Sequence, residues 1–365
     1  MSQTTRPLSA VIMAAGQGSR MRSERPKPLH RLCGRPMLMY VLDALRGCHP
    51  DAAVIVVGHK GDWVTKKIGE EEVDLRLEFV EQRVQRGTGD AALIGLVGLP
   101  DETEEDGDVV VLVGDAPLLR AETVNRLVAA HRDSDAAATL VVARSDPSGY
   151  GRIVRGKDDR IERVVEQGDA TPEELEIQEW NTSVYCFRRS VLAPARRRLD
   201  PDNSQGEYYL TDVVAVLAQA GYEVRSIEAN DPLEVTGVND RLQLARAEAE
   251  LRRRTNERLL SSGVTMLDPS NTFVDTTVVV GQDVTLFPGT LLQGDTVIGD
   301  GCEIGPDTRL VDCRIGAGCV IETTTARQAT VGDGAHVGPY AVLQPGADVP
   351  ADHRTGPFYN SAADG

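Results

Sequence analysis

Short apolar runs alternate with longer amphipathic stretches along the first two thirds of the chain. Four runs are dense enough in aliphatic residues to be buried strands, at residues 9–13, 54–57, 75–80 and 109–113. Residues 37–46, between the first two runs, have the spacing of a helix. Strands that alternate with helices in this way predict βαβ units. The pattern therefore predicts an α/β domain with a mixed, mostly parallel, Rossmann-like sheet.

The last third of the chain has a different period. From residue 274 onward an aliphatic residue recurs every six positions, with a one-residue slip at Ile315 and a pause over 323–329. Such a period is typical of a parallel β-helix, in which one aliphatic residue per repeat lines the interior. Cys302 and Cys319 fall at the small inward position of their repeats, so packing explains them better than redox chemistry does. The aliphatic positions are Val274, Val280, Leu286, Leu292, Ile298, Ile304, Leu310, Ile315, Ile321, Val331, Val337, Leu343 and Val349.

A helical pattern joins the two regions. It runs from residue 241 to residue 260, and Gly263 has the character of a stop signal. A chain of 365 residues is long enough for two domains. We expect an α/β domain at 1–237, a connecting helix at 238–263, a β-helix at 264–355 and a tail at 356–365.

Composition narrows the class of protein. The formal net charge of −17 argues against a surface that binds nucleic acid. No apolar run is long enough to span a bilayer, and the first residues lack the apolar core of a signal peptide. The six cysteines form no C-x-x-C pair, which argues against a structural zinc site and is typical of reduced thiols. We expect a cytoplasmic protein with no membrane partner.

The loop after the first predicted strand is the best candidate for a ligand site. It contains Gly16 and Gly18, and Arg20 and Lys27 follow it. A glycine-rich loop lets backbone N–H groups approach phosphate oxygens, and the two cations would hold negative charge. A dinucleotide-binding loop would need a third glycine where Met21 stands, and no P-loop motif occurs. A turn that binds nothing would not explain the two cations, so we interpret the loop as the cradle of a nucleoside triphosphate.

Asp115 is the best candidate for a metal ligand. It follows the apolar run at 109–113, and in an open parallel sheet ligands bind beyond the carboxyl ends of the strands. The same edge would hold the glycine-rich loop. A carboxylate beside a polyphosphate suits Mg²⁺. Alternatively, Asp115 could cap a helix that starts near Leu119 or Arg120, and its spacing leaves both interpretations open.

Two motifs relate the chain to a known family. The runs A-A-G-Q-G-S-R-M at 14–21 and P-K-P-L-H at 26–30 resemble the sugar-nucleotidyltransferase family. The resemblance is strongest to the bacterial bifunctional enzymes that make UDP-N-acetylglucosamine from UTP and N-acetylglucosamine 1-phosphate, and whose C-terminal half is a glucosamine-1-phosphate acetyltransferase. It implies catalytic roles for Arg20 and Lys27. It also implies nucleotide contacts from Met13, Ala14, Ala15 and Gly16.

The same resemblance implies a two-residue metal site. Asp115 stands in the G-D motif that is the family's magnesium site. Asn239 stands in a G-V-N motif that supplies its second ligand. Without the resemblance, Asn239 would pass as the N-cap of the next helix.

Two glutamines are candidates for base recognition. Amide groups can pair with the edge of a pyrimidine, whereas the alternative is a solvated loop followed by a helix start. The resemblance favours contacts to uracil, and the residues that match the family motif are Gln82, Gln85, Gly87 and Thr88. The chain departs from its relatives at Asp90, where they usually have histidine.

The resemblance places the sugar contacts on three separate segments. It assigns them to Gly151, Glu166, Asn181 and Thr182. Ser183 stands where the relatives mostly have glycine, which adds a side chain near the sugar and leaves the acyl group open.

The resemblance also bears on the periodic region. It implies a left-handed β-helix that forms a homotrimer. Gln344 stands where the family's acetyltransferase has an arginine, and the position of that enzyme's catalytic histidine lies beyond residue 365. We expect the acetyltransferase half to be truncated or lost, with no acetyl transfer.

The predicted reaction is attack by a sugar 1-phosphate oxygen on the α-phosphorus of UTP, with Mg²⁺ as cofactor. The second pKa of a phosphate monoester is about 6, so the nucleophile needs no general base. Two alternatives stay open. One is the same reaction with glucose 1-phosphate, mannose 1-phosphate or dTTP. The other is a non-catalytic regulatory subunit of the same fold, which retention of Arg20, Lys27 and Asp115 disfavours.

Overall fold

A computed structural model describes residues 6–71, 73–100 and 106–362. The chain divides into two compact units, one formed by residues up to 30 and 36–243, the other by residues 31–35 and 244–365. The last three residues of the predicted tail lie outside the described residues. No helix in the described ranges combines the length and apolarity needed to cross a bilayer.

The elements up to residue 261 are those of an α/β protein. In chain order they are β1 Leu8–Ala14, β2 Arg31–Leu32, β3 Arg35–Pro36, α1 Met37–Arg46, β4 Ala52–Val57, α2 Gly61–Gly69, β5 Leu77–Glu81, α3 Thr88–Gly98, β6 Asp108–Val113, α4 Ala121–Ser134, β7 Ala138–Arg144, β8 Arg152–Arg155, β9 Ile161–Val165, α5 Pro172–Leu175, β10 Glu179–Arg188, α6 Arg189–Arg196, α7 Asp212–Gln219, β11 Val224–Glu228 and α8 Arg241–Ser261.

The first unit is built on one mixed sheet with the strand order β11-β7-β10-β6-β1-β4-β5, to which β8 and β9 are added beside β10. Strand β1 pairs in parallel with both β4 and β6, whereas β10 runs antiparallel to β6 and β7. The central strands are buried on both faces, which explains why they consist of unbroken aliphatic runs. The predicted Rossmann-like fold class is confirmed.

Helices cover both faces of this sheet. On one face Ile12 of β1 packs in a cluster with Leu42 of α1 and Leu127 of α4. On the other face Val11 packs with Leu96 of α3 and with residues of α6 and α7. Because successive side chains of a strand point to opposite faces, neighbouring residues of β1 stabilise opposite layers.

The strand predicted at 75–80 begins later in the structure. Strand β5 covers Leu77–Glu81, and its pairing with β4 starts at Leu77, opposite Ala53. Leu75 is partly buried but precedes the strand. The apolar run therefore predicted the segment, whereas the pairing with β4 defines where the strand begins.

The second unit contains three parallel five-stranded sheets, as expected for a β-helix with three faces per coil. Its strands are β12 Thr265–Met266, β13 Thr272–Val274, β14 Val279–Val280, β15 Thr285–Leu286, β16 Thr290–Gln293, β17 Val297–Ile298, β18 Glu303–Ile304, β19 Arg309–Val311, β20 Arg314–Ile315, β21 Val320–Ile321, β22 Thr325–Arg327, β23 Thr330–Val331, β24 His336–Val337, β25 Val342–Leu343 and β26 Asp348–Val349. All the predicted aliphatic positions belong to its core, with Val280 only partly buried. The predicted left-handed β-helix fold class is confirmed.

The β-helix continues through 323–329, where the six-residue period of large aliphatic residues pauses in the sequence. Strand β22 lies there, and Ala326 is fully buried in line with Leu310 and Leu343 of the coils on either side. The coil is continuous, but its corners are shorter by one residue and its inward side chain is a methyl group. A search for large aliphatic residues at a six-residue spacing could not detect it.

Small residues fill the corners of the coils. Thr290 donates to the carbonyl of Ile304 at 3.1 Å, and the thiols of Cys302 and Cys319 donate to the carbonyls of Gly316 and Gly332 at 3.0 and 3.1 Å. Both cysteines are fully buried and free. They act here as small corner residues that bond the next coil.

Candidate active site

The loop after β1 brings two cations to the edge of the sheet. Gly18 has a left-handed backbone with φ 62°, and a Cβ there would lie 2.8 Å from Cβ of Lys27. A larger residue would therefore be strained and would also collide with Lys27. Arg20 lies in a 3-10 turn directly after this glycine, and its side chain is exposed. The glycine thus lets the two cations approach one cleft.

A cleft of about 620 Å³ opens at the carboxyl ends of β1 and β6. It contains every residue predicted to act as a catalytic cation, a nucleotide contact or a metal ligand: Arg20, Lys27, Met13, Ala14, Ala15, Gly16, Gln82, Gln85, Gly87, Thr88, Asp115 and Asn239. Two further residues that line it, Ala91 and Gln205, lie outside the motifs on which the sequence analysis depended. Their residue types alone carry no signal for a site.

Lys27 is shared between the two predicted metal ligands. Its Nζ donates to Asn239 Oδ1 at 2.8 Å and forms a short ion pair with Asp115 Oδ2. The backbone supports this arrangement, since the N–H of Val238 donates to the carbonyl of Asp115 at 2.8 Å. The side chains of Lys27 and Asp115 are 11% and 24% exposed, so the pair is partly shielded from solvent.

Neither Asp115 nor Asn239 is a helix cap. Helix α4 begins after Arg120 with no side-chain cap. For α8, Asp240 accepts the N–H of Gln243 at 2.8 Å and so takes the capping role. The side-chain oxygens of Asp115 and Asn239 converge instead on the ammonium group, as oxygens that can hold a cation do.

These two oxygens fit a magnesium site of limited protein coordination. Among the described residues no group of three or more His, Cys, Asp or Glu side chains could hold a metal. Mg²⁺ is usually bound through one or two carboxylates plus substrate phosphates and waters, so a carboxylate and an amide oxygen beside the glycine-rich loop could hold it.

The glutamines are held by the backbone around them. Gln85 Nε2 donates to the carbonyl of Ala15 at 2.7 Å, which links the segment of the two glutamines to the glycine-rich loop. Gly87 has φ 104°, and a Cβ there would lie 2.5 Å from the carbonyl of Tyr208. The hydroxyl of Thr88 accepts the N–H of Leu210 at 3.0 Å. Gly87 and Thr88 thus fix the chain at the start of α3.

The predicted sugar contacts are brought near each other by three strands, but they do not line the cleft just described. The N–H of Asn181 donates to the carbonyl of Gly151 at 2.9 Å, and a Cβ on Gly151 would lie 3.4 Å from Glu166 Oε2. Burial raises the pKa of Glu166, although the hydroxyl of Thr211 donates to it at 3.0 Å. The hydroxyl of Thr182 is buried and donates to a carbonyl of β7 at 2.8 Å.

The departure at Ser183 coincides with a backbone irregularity. Its φ is 60°, in the left-handed region, and the pairing of β10 with β7 shifts register between Asn181 and Tyr185. Asn181 Nδ2 donates to the hydroxyl of Tyr185 at 2.7 Å. The bulge re-aims the Asn181 segment, and glycine would fit its geometry with less strain.

Tyr150 connects the segment of the predicted sugar contacts to that of the predicted metal ligands, and sequence reasoning missed this. Its hydroxyl accepts the N–H of Gly237 at 3.2 Å. The centre of its ring lies 4.2 Å from the centre of the Trp180 ring. Burial raises the pKa of Tyr150, and the negative charge of Asp115 adds to the effect. A tyrosine flanked by two glycines was the available signal, but its long-range partner could not be known.

Comparison with known proteins agrees with this geometry. Residues 10–220 match the MobA-like NTP transferase domain family. Together with the fold and the cleft, the match defines the chain as a nucleotidyltransferase.

The particular family follows from relatives that match almost the whole of this chain. The bifunctional protein GlmU of Streptomyces avermitilis is 43% identical over 355 residues, which cover 97% of this chain and 73% of that protein. The bifunctional proteins GlmU of Heliobacterium modesticaldum and Mycobacterium tuberculosis are 41% and 42% identical, over 96% of this chain and 75% and 71% of theirs. The chain belongs to the GlmU family.

Proposed function

We propose that this enzyme makes UDP-N-acetylglucosamine and pyrophosphate from UTP and N-acetylglucosamine 1-phosphate, with Mg²⁺ as cofactor. The observation that carries the proposal is the cleft in which Lys27 joins Asp115 to Asn239 beside the glycine-rich loop. Such a product is a precursor for cell-wall synthesis, in keeping with the family.

The reaction needs little covalent chemistry from the protein. A 1-phosphate oxygen attacks the α-phosphorus of UTP, the bond from that phosphorus to the bridging oxygen breaks, and pyrophosphate leaves. The attacking phosphate is already mostly a dianion near pH 7. The protein's task is to hold two polyanions in line and to offset their charge, as in phosphoryl transfer generally.

Each predicted residue has a place in this scheme. Arg20 and Lys27 would contact phosphate oxygens, and Asp115 with Asn239 would hold Mg²⁺, which supplies further positive charge. Gln82 and Gln85, with the backbone of Met13 to Gly16 and of Gly87 and Thr88, would surround the nucleoside. Gly151, Glu166, Asn181 and Thr182 would form the sugar side.

The test is pyrophosphate release by the purified full chain. UTP with N-acetylglucosamine 1-phosphate should give magnesium-dependent release that EDTA abolishes and that Asp115→Ala lacks. A panel with dTTP, glucose 1-phosphate and mannose 1-phosphate separates the alternative substrates. Absence of release with every pair would favour a regulatory role and refute the proposal.

We also propose that the chain forms a homotrimer through its β-helix, acts in the cytoplasm and does not transfer acetyl groups. The last point is supported by Gln344, an uncharged residue where the resemblance expects an arginine. Acetyl transfer from acetyl-CoA to glucosamine 1-phosphate by this chain would contradict it.

A further inference from the structure

Asp90 makes a contact that the predicted reaction does not explain. It lies in the first turn of α3, and its Oδ2 accepts a hydrogen bond from Gln82 Nε2 at 3.0 Å. The carbonyl of Gly87 accepts from the same nitrogen at 3.2 Å. An amide nitrogen has two hydrogens, so these two acceptors use both of them.

This pair of acceptors fixes the orientation of the Gln82 amide. A carboxylate and a carbonyl can only accept here, so the reversed amide would place its oxygen against two other oxygens. The residue itself cannot easily shift, because it is 4% exposed and its N–H donates to the carbonyl of Val57 at 2.8 Å.

The oxygen of the amide therefore faces the cleft. Gln82 lines the cleft. Its Oε1 accepts no hydrogen bond from the described residues. It is also not a fully buried atom without a partner, so solvent in the cleft can reach it. It is an acceptor open to the cleft.

We propose that Asp90 is a positioning residue that sets the base preference of this enzyme. By holding the nitrogen of the Gln82 amide, it presents an acceptor to a base that has a ring N–H. Uracil and thymine have this donor at N3, whereas N3 of cytosine is an acceptor and would face the oxygen unfavourably. The inference rests on the proposed function in placing a nucleotide in the cleft.

A purely structural role for Asp90 makes a different prediction. A carboxylate in the first turn of a helix is favoured by the helix dipole, which would affect stability but not base preference. Two variants separate the roles. Asp90→Asn removes the charge and keeps an acceptor oxygen, whereas Asp90→Leu is similar in size and removes both.

The experiment measures equilibrium binding of UTP and of CTP to the full chain with Mg²⁺, together with pyrophosphate release at saturating sugar 1-phosphate. Wild type should prefer UTP. Asp90→Leu should weaken UTP binding by about tenfold and reduce the preference over CTP by a similar factor, since a hydrogen bond contributes about 0.5–1.5 kcal/mol. Its kcat should stay within about twofold of wild type. Asp90→Asn should keep most of the preference, because it keeps the acceptor.

Two results would overturn the inference. One is an Asp90→Leu variant that folds and keeps the wild-type preference for UTP. The other is a wild type that binds CTP as tightly as UTP, which decides the matter even if both variants unfold. If Asp90→Leu loses the preference for UTP but wild type releases no pyrophosphate with N-acetylglucosamine 1-phosphate, the proposed function fails while the role of Asp90 stands.

Discussion

At the scale of the residue, Lys27 occupies the place between two oxygens that we assign to a metal. Its Nζ contacts Asp115 and Asn239 together, so the ammonium and a divalent cation would compete for the same oxygens. Binding of a triphosphate would attract Lys27 to phosphate and leave the oxygens to the metal. The lysine would then keep the metal affinity low until the nucleotide arrives.

Replacing Lys27 should therefore have two opposite effects. Lys27→Ala should lower turnover at saturating substrate by about 10²–10³, as loss of one preorganised donor does. The same variant should bind Mn²⁺ about tenfold more tightly without nucleotide, since a competing charged hydrogen bond contributes about 1.5–3 kcal/mol. Electron paramagnetic resonance of Mn²⁺ measures the binding directly. Lys60→Ala is the control, because Lys60 pairs with Glu24 and does not line the cleft. Equal Mn²⁺ affinity in wild type and Lys27→Ala would refute the competition between the lysine and the metal.

Ser183 offers a test of backbone strain. Its φ of 60° disfavours any residue with a Cβ. Ser183→Gly should stabilise the chain by about 1 kcal/mol through relief of this strain. Urea unfolding measures the change. Ser183→Ala keeps the strain and serves as the control, so an equal gain from both variants would show that the hydroxyl, and not the backbone, is responsible.

At the scale of the element, β6 and α4 are joined by a buried charge at the end of the sheet opposite the cleft. Asp108 is fully buried; Arg132 Nε lies 2.9 Å from its Oδ2, and Arg6 Nε and His131 Nε2 each lie 3.5 Å from its Oδ1. Burial alone would raise the pKa of Asp108, but the contacts with His131 and Arg132 outweigh it and the pKa is lowered. The carboxylate form is therefore favoured in the fold.

The lowered pKa fixes the sign of a pH dependence. A carboxyl whose folded pKa lies below its unfolded value of about 3.9 stabilises the fold above that pH and ceases to do so as the pH falls through the folded pKa. Asp108→Asn should cost about 1.5–3 kcal/mol at pH 7, because it leaves the partly exposed Arg6 and Arg132 without their carboxylate partner. The difference from wild type should shrink below pH about 4, as urea unfolding at both pH values would show. Asp133→Asn, on the exposed face of α4, should change the free energy of unfolding little. A difference between wild type and Asp108→Asn that is constant with pH would contradict the lowered pKa of Asp108.

Elements were predictable to different degrees. The glycine-rich loop and the six-residue period depend on local backbone geometry, so residue type reports them directly. The start of β5 depends on the strand beside it, and the coil at Thr325–Arg327 depends on the room left for Ala326 by its neighbours. Neither neighbour is adjacent in sequence, so the start of β5 and the strand at Thr325–Arg327 could not be derived from the local pattern.

At the scale of the whole molecule, the β-helix presents three sheets of stacked outward side chains. We expect it to assemble as a trimer, so sedimentation equilibrium should give three times the chain mass of 39.4 kDa. The mass should not change over a tenfold dilution, because obligate interfaces bury large areas. A single-chain mass at micromolar concentration would rule out the trimer.

The sequence by itself determined the fold class, the glycine-rich loop and the β-helix of this nucleotidyltransferase, because each depends on residues that are close together along the chain. The tertiary structure decided which side chains of the site contact each other. It joined Lys27 to partners 88 and 212 residues away and turned the Gln82 amide by means of Asp90. It also placed the hydroxyl of Tyr150 on Gly237. These contacts arise where loops from distant strands meet at one edge of a sheet, and no local pattern encodes which atoms face each other there.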